Sequence, residues 1–251
     1  MIHNPTINDI ARELGISKST VSRALAGNED IKEGTRKAVL EMAEKMHYRP
    51  NHMARNLTKR RTGVIGVVVP EFINSFFPRI IIQIQKVFES EGFRVLISQC
   101  NESWEAERRN LELLEENMVE GILLSVTEKG KNSDYYRKLI SRGVPVIFFN
   151  RDEKDIDTSR VIIDDYKWAF FATEHLIYTR NRLGTEIPRI LHLCGPSNID
   201  LSERRRRGWA DALRKHHIST DESFVLQAKF STIEEGFHLM SRYLEGGNIP
   251  D

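Results

Sequence analysis

Cysteine is nearly missing from this chain. There are two in 251 residues, Cys100 and Cys194, which form no CxxC pair and are too few for a disulfide framework. Long apolar runs are missing too, and nothing approaches the roughly 20 residues of a membrane helix. The start, Met1-Ile2-His3-Asn4-Pro5, has neither the basic lead nor the apolar run of a secretory signal. These absences predict a protein of the reducing cytoplasm with no membrane partner. The local signatures of catalysis are also lacking: there is no GxSxG, no HExxH and no phosphate loop. His216 and His217 are adjacent, but no further ligands stand at metal-binding spacing from them. The sequence therefore predicts no catalytic residue, no metal site and no cofactor.

An excess of charge of one sign is absent only on average. The net charge is +1, yet residues 1–62 hold 12 Lys+Arg against 7 Asp+Glu, and the remainder holds 25 against 29. A basic head on a mildly acidic body suggests a polyanionic partner for the head alone, although many small helical domains carry such a surplus. Apolar residues at 40% and charged residues at 29% are ordinary for a globular protein.

The head reads as three short helices. Thr6 with Asp9 resembles a capping box, and Ile7, Ile10, Ala11 and Leu14 keep helical spacing. Gly15 supplies a stop, Ser17 caps a second helix, and Gly27 ends it. The turn Gly15-Ile16-Ser17 is as tight as a helix-turn-helix requires. A third helix carries Ala38, Val39, Met42, Ala43 and Met46 on one face and stops before Pro50. Residues 51–62 are basic and long enough only for a helix that is marginal alone, so the linker is expected there.

From Gly63 the pattern changes to apolar strands alternating with amphipathic helices. Strands are expected at 64–69, 94–98, 121–126, 144–149, 160–164 and 189–193. Helices are expected near 76–91, 104–118, 132–142, 166–180, 203–216 and 232–245. Such alternation means βαβ units and a doubly wound parallel sheet, an α/β fold that binds ligands beyond the carboxyl ends of its strands. The last residues, Gly246-Gly247-Asn248-Ile249-Pro250-Asp251, read as a loop leading into another strand.

The most specific signal is residues 6–27, TINDIARELGISKSTVSRALAG. On its second helix Val21 and Leu25 should face the core, with Lys18, Ser19, Ser22 and Arg23 opposite. Arg and Lys can donate to guanine edges, and hydroxyls can meet phosphates or bases. For that helix alone, a solvated polar face is the simpler reading. The motif INDIARELGISKSTVSRAL, the segment TRKAVLEMAEKMHYRPN and the segment NHMARNLTKRRTGVIGVVVP together closely resemble the lactose-repressor (LacI/GalR) family. The resemblance runs from residue 6 to the end of the chain.

The resemblance implies a sequence-specific DNA-binding transcription regulator that binds an operator as a homodimer under control of a small-molecule effector, such as a sugar or related metabolite. It implies base-reading positions at Lys18, Ser19 and Arg23, and phosphate contacts at Thr6, Thr20 and Ser22. Tyr48 and Asn51 match the end of the third helix and the start of the hinge. Leu57 matches a leucine that dimers wedge into the minor groove, a known way to kink DNA. Lys32 stands where the family usually has a Ser cap, and Gly34 lies in the following turn, so the third helix should start weakly. The implied domains are a headpiece at 1–50, a hinge at 51–62, and two lobes of an effector domain at 63–165 and 166–251. That domain is periplasmic-binding-protein-like, with its second lobe incomplete.

Candidate effector residues follow from the strand-end rule: Pro70, Asn74, Phe76 and Phe77 after the first strand, Ser125 after the third, Asn150 and Arg151 after the fourth. Phe76 and Phe77 could equally be helix-start core. The resemblance implies a hydroxyl-binding side chain at Asn150 and an effector clamp at Arg205, three before Gly208 in LSERRRRGW. Arg204 and Arg207 are expected on a solvated basic face. The competing reading, a soluble sugar-binding protein without a DNA role, leaves residues 1–62 unused. An enzyme would need a nucleophile, metal or phosphate loop.

Overall fold

Thr6 opens the first helix, α1 (Ile7–Leu14), and Asp9 accepts hydrogen bonds from the Thr6 N–H (2.9 Å) and hydroxyl (2.8 Å). Gly15 ends it in the left-handed conformation at φ 63°. The Ser17 hydroxyl then accepts the Thr20 N–H at 3.1 Å and starts α2 (Lys18–Leu25). The third helix, α3 (Glu33–Lys45), begins after Lys32, whose side chain makes no cap hydrogen bond. Ile10, Val21 and Val39, one from each helix, are fully buried together with Ala11, Ala24 and Ala43. This computed structural model describes residues 5–48, 62–73, 75–182, 189–229 and 232–247. Two compact units emerge, Met1–Thr62 and Gly63–Asp251.

The second unit is built on a five-stranded, wholly parallel sheet. Its strands are β1 (Val64–Val69), β2 (Arg94–Gln99), β3 (Gly121–Leu124), β4 (Val146–Phe149) and β5 (Arg160–Val161), in the order β2-β1-β3-β4-β5. The crossovers are α4 (Phe76–Ser90), α5 (Trp104–Glu116) and α6 (Ser133–Ser141). Between β1 and β2 the register pairs Val64 with Arg94 through to Val69 with Gln99. The reversal of strand order beside β1 puts the crevice at the carboxyl ends of β1 and β3.

Beyond β5 come α7 (Asp165–Arg182), β6 (His192–Cys194), α8 (Asp200–Lys215), β7 (Val225–Gln227) and α9 (Ile233–Glu245), with β6 and β7 forming a separate parallel pair. The expected division at residues 165 and 166 is thus a change of sheet; residues 63–251 remain one compact unit. β3 ends two residues before its expected limit, β4 starts two after, and β7 was not expected; two further strands differ from expectation for identifiable reasons. The strand expected over 160–164 pairs only at Arg160 and Val161, because Asp164 leaves the sheet to cap α7, accepting the Lys167 N–H at 3.0 Å. The strand expected at 189–193 pairs at 192–194, since Ile190 instead packs with Trp209 and Leu213.

Packing within this unit is tight at one helix crossing. A Cβ on Gly208 of α8 would lie 2.3 Å from the Tyr166 carbonyl oxygen and 2.9 Å from the Phe170 nitrogen of α7. In the larger core, fully buried Glu107 accepts from the Thr127 N–H (2.7 Å), the Thr127 hydroxyl (2.9 Å), the Asn132 amide (2.8 Å) and the Tyr136 hydroxyl. Burial, reinforced by the Glu107 charge, pushes the Tyr136 hydroxyl well above its ordinary pKa, so it stays a donor. That network fixes the 125–132 loop at the carboxyl end of β3.

Candidate functional site

Helix α2 presents two faces. Val21 and Ala24 are buried and Leu25 is half-buried, while Lys18, Ser19, Ser22 and Arg23 are exposed. Thr20 is half-buried and its hydroxyl lies 2.8 Å from Ser17 Oγ; Ser19 Oγ lies 2.7 Å from the same atom. Thr6 is exposed at the start of α1. The Arg23 guanidinium donates from Nη1 to Asp30 at 2.8 Å. Asn51 and Leu57 lie outside the described residues, as does Asn74.

In the second unit the carboxyl ends of the strands converge on a cleft of about 380 Å³. Glu71 after β1, Gln99, Asn101 and Glu102 at the end of β2, Asn198 after β6 and Lys229 after β7 line it. A smaller cleft of about 120 Å³ is lined by Arg151, His192, Ser202 and Arg205 among others. Its cations are already matched. Arg151 holds Glu102 in two bonds of 2.7 and 2.9 Å, and Arg205 Nε donates to buried Asp165 at 2.7 Å. His192 stacks on Trp209 at 5.5 Å, and burial, then the Arg206 and Arg205 charges, holds its pKa below the usual histidine value.

Of the expected effector residues, Arg205 lines this cleft, with its side chain 55% exposed. Ser125 is fully buried and its hydroxyl finds no partner, an unmet demand typical of ligand or water sites. Asn150 sits at φ 61°, its N–H donating to Val161 at 3.0 Å. Phe76 is 41% exposed. Phe77, 2% exposed and edge-on to Phe149, is a core residue with no solvent face for a ligand.

Arg204 departs from the solvated face expected of it. It is mostly buried, with Asp200 as one partner and the almost fully buried Asp152 as another at 3.5 Å. Asp152 also takes Arg160 at 2.9 Å. Sequence reasoning missed Glu71, Glu102, Asp152, Asp165, Asn198 and Lys229. Extending the strand-end rule to every polar residue within four positions of an expected strand end would have found Glu71, Glu102, Asp152 and Asp165; Asn198 lies five past its expected strand, and Lys229 follows β7, which the sequence reading did not expect.

Comparison with known proteins decides the family. Residues 6–51 match bacterial regulatory proteins of the lacI family, and residues 62–251 match periplasmic binding proteins and the sugar binding domain of the LacI family. The chain belongs to the LacI family. It is similar to catabolite control protein A of Streptococcus mutans, 30% identical over 247 residues, which span 96% of this chain and 70% of that one. A transcriptional regulator CelR–cellobiose complex is 26% identical with a TM-score of 0.61, covering 96% of this chain and 71% of the other. The lac repressor dimer bound to operator and an anti-inducer shares the fold at a TM-score of 0.80 and 21% identity, over 99% of this chain and 72% of that one. Like its LacI-family relatives, this chain is a DNA-binding transcription regulator with an effector-binding domain. Among the described residues no helix is long and apolar enough to cross a membrane.

Proposed function

We propose that this regulator is a cytoplasmic repressor that reads a roughly palindromic operator as a two-fold dimer and is switched by a neutral, polyhydroxylated effector. Lys18, Ser19 and Arg23 read base edges; Thr6, Thr20, Ser22 and Asn51 meet the backbone; Leu57 of each hinge enters the minor groove. The observation that carries the effector class is the pairing in the cleft. Arg151 is matched by Glu102 and Arg205 by Asp165, so the site offers donors and acceptors side by side with little net charge. Paired groups of this kind suit hydroxyls, which donate and accept at once. Asn150 and Arg205 are the proposed direct hydroxyl contacts, with partly exposed Phe76 an apolar one; Ser125, which like Phe77 has no solvent face, takes part only through a buried water.

The helix α4 supports the dimer. Ile81 turns inward, leaving Ile82 and Val87 exposed beside a shallow apolar surface formed by Ile80, Ile84 and Phe88. The neighbouring edge strand β2 exposes Leu96 and Ile97. Together these exceed what one chain buries, and a closed two-fold contact covers them. A gel-shift selection from random duplexes tests the DNA reading, and a thermal-shift series with neutral sugars and sugar phosphates tests the effector class. Enrichment of no sequence, or stabilisation by sugar phosphates alone, would overturn the corresponding half.

A further inference from the structure

The acid that faces the reading arginine is built into the headpiece. Helix α2 closes in a Schellman turn: Gly27 stands at φ 76°, its N–H donates to the Ala24 carbonyl at 3.1 Å, and the Asn28 N–H to the Arg23 carbonyl at 3.1 Å. This reverses the chain beside the last turn of α2. The returning segment is then fastened from α3, where Arg36 Nη2 donates to the Asn28 carbonyl at 2.6 Å. Ile31 anchors its far end against the headpiece core. Asp30 lies between these two anchors, with its carboxylate 2.8 Å from Arg23 Nη1. Both partners are half exposed, at 50% and 53%, so the pair adds little to stability and its significance is positional.

We propose that Asp30 is a specificity-determining residue, a positioning group that holds the Arg23 guanidinium toward base edges and cancels its charge toward phosphates. The inference rests on the reading of Arg23 as a base contact. A guanidinium carries five N–H donors, and Asp30 engages Nη1, leaving the remaining fork for the two acceptors of a guanine. On random duplex no base edge rewards that orientation. Arg23 must then leave Asp30 to reach a phosphate, or stay and contribute no net charge to counterion release. Asp30 therefore costs more on random DNA than on the operator, and that difference is specificity.

The test uses the full chain, a duplex selected from a random pool by the unaltered protein, and a scrambled duplex, titrated by fluorescence anisotropy over a salt series. For Asp30→Asn, affinity for the scrambled duplex should rise severalfold. Its slope of log K against log salt should steepen by up to about 0.9, one phosphate contact. The ratio of selected to scrambled affinity should fall roughly tenfold, the scale of one base contact. Asp30→Glu should recover part of the ratio, and Glu29→Gln, removing the same charge one residue away, should leave it within about twofold. In an Arg23→Ala background Asp30→Asn should leave the ratio unchanged. If Asp30→Asn strengthened both duplexes equally, or matched Glu29→Gln, Asp30 would be one more surface charge and the proposal would fall. If Arg23→Ala itself left the ratio intact, the base-reading role of Arg23 would fail instead.

Discussion

At the scale of single residues, two positions in the second unit can be tested directly. Gly208 lies where α8 touches the backbone of α7, and backbone cannot swing aside as a side chain can. Gly208→Ala should therefore push the two helices apart, at a cost of about 1–3 kcal/mol or more. Gly66 offers the contrast: a Cβ there would meet Leu114 Cδ1 at 2.7 Å, the tip of a rotatable side chain. Thermal unfolding of both variants should show the larger loss for Gly208→Ala; the reverse order would mean α7 and α8 separate freely. His192 supplies a pH dependence. Its folded pKa lies below the unfolded value of 6.5, so below that pH the unfolded chain binds the extra proton. Stability from this group is complete above pH 6.5 and is lost as pH falls through the folded pKa. Urea melts at about pH 7.5 and about pH 5.5 should show that loss, and His192→Gln should shrink it; an undiminished loss would assign it to other groups.

At the scale of elements, α3 carries a repairable defect. Lys32 stands at the cap position without a capping bond, and Gly34 follows in the first turn with open space around its Cα. Lys32→Ser should add about 0.5–2 kcal/mol and Gly34→Ala about 0.5–1 kcal/mol to that helix. Hydrogen exchange of the α3 amides should slow in the double variant; unchanged rates would show that tertiary packing alone sets the start. This defect was legible in the sequence because capping is local. So were all the described helices and most strand positions, because periodicity reports which face is buried. The strand ends were less legible. Nothing in the apolar run Val161-Ile162-Ile163 reveals that Asp164 will cap α7 and end the pairing early. The cleft was least legible. Arg151 meets Glu102 across 49 positions and Arg204 meets Asp152 across 52, distances at which spacing carries no signal. Arg204 differs from expectation for this reason, since four consecutive arginines look solvated until the fold brings acids to three of them and buries Arg204.

At the scale of the molecule, the question is how the cleft reaches the operator. Within the second unit, ion pairs tie the segment after β4 to α8 and tie α8 to α7: Asp152 holds Arg204 of α8, and Arg205 of the same helix holds Asp165 at the start of α7. A ligand held by Arg205 would bear on the crossing of α8 over α7 through its own contacts, since the half-exposed Arg205–Asp165 pair is by itself weak. In the proposed switch such a change reaches DNA through residues 51–62, a stretch of sequence too short to hold a helix unaided. In the proposed dimer the two Leu57 side chains gain only when both hinges meet over a deformed minor groove. The coupling is bounded by the ligand's differential affinity for the two arrangements, commonly about 1–3 kcal/mol, or roughly 5–150-fold in DNA affinity. Arg205→Ala should leave operator affinity intact and abolish the effector response. Leu57→Ala should weaken specific binding and flatten the response, because the element being biased is gone. Operator titrations of both variants, with and without a sugar that stabilises the unaltered protein, separate the two roles. A normal response in Leu57→Ala would move the switch away from the hinge, and a normal response in Arg205→Ala would move the ligand away from α8.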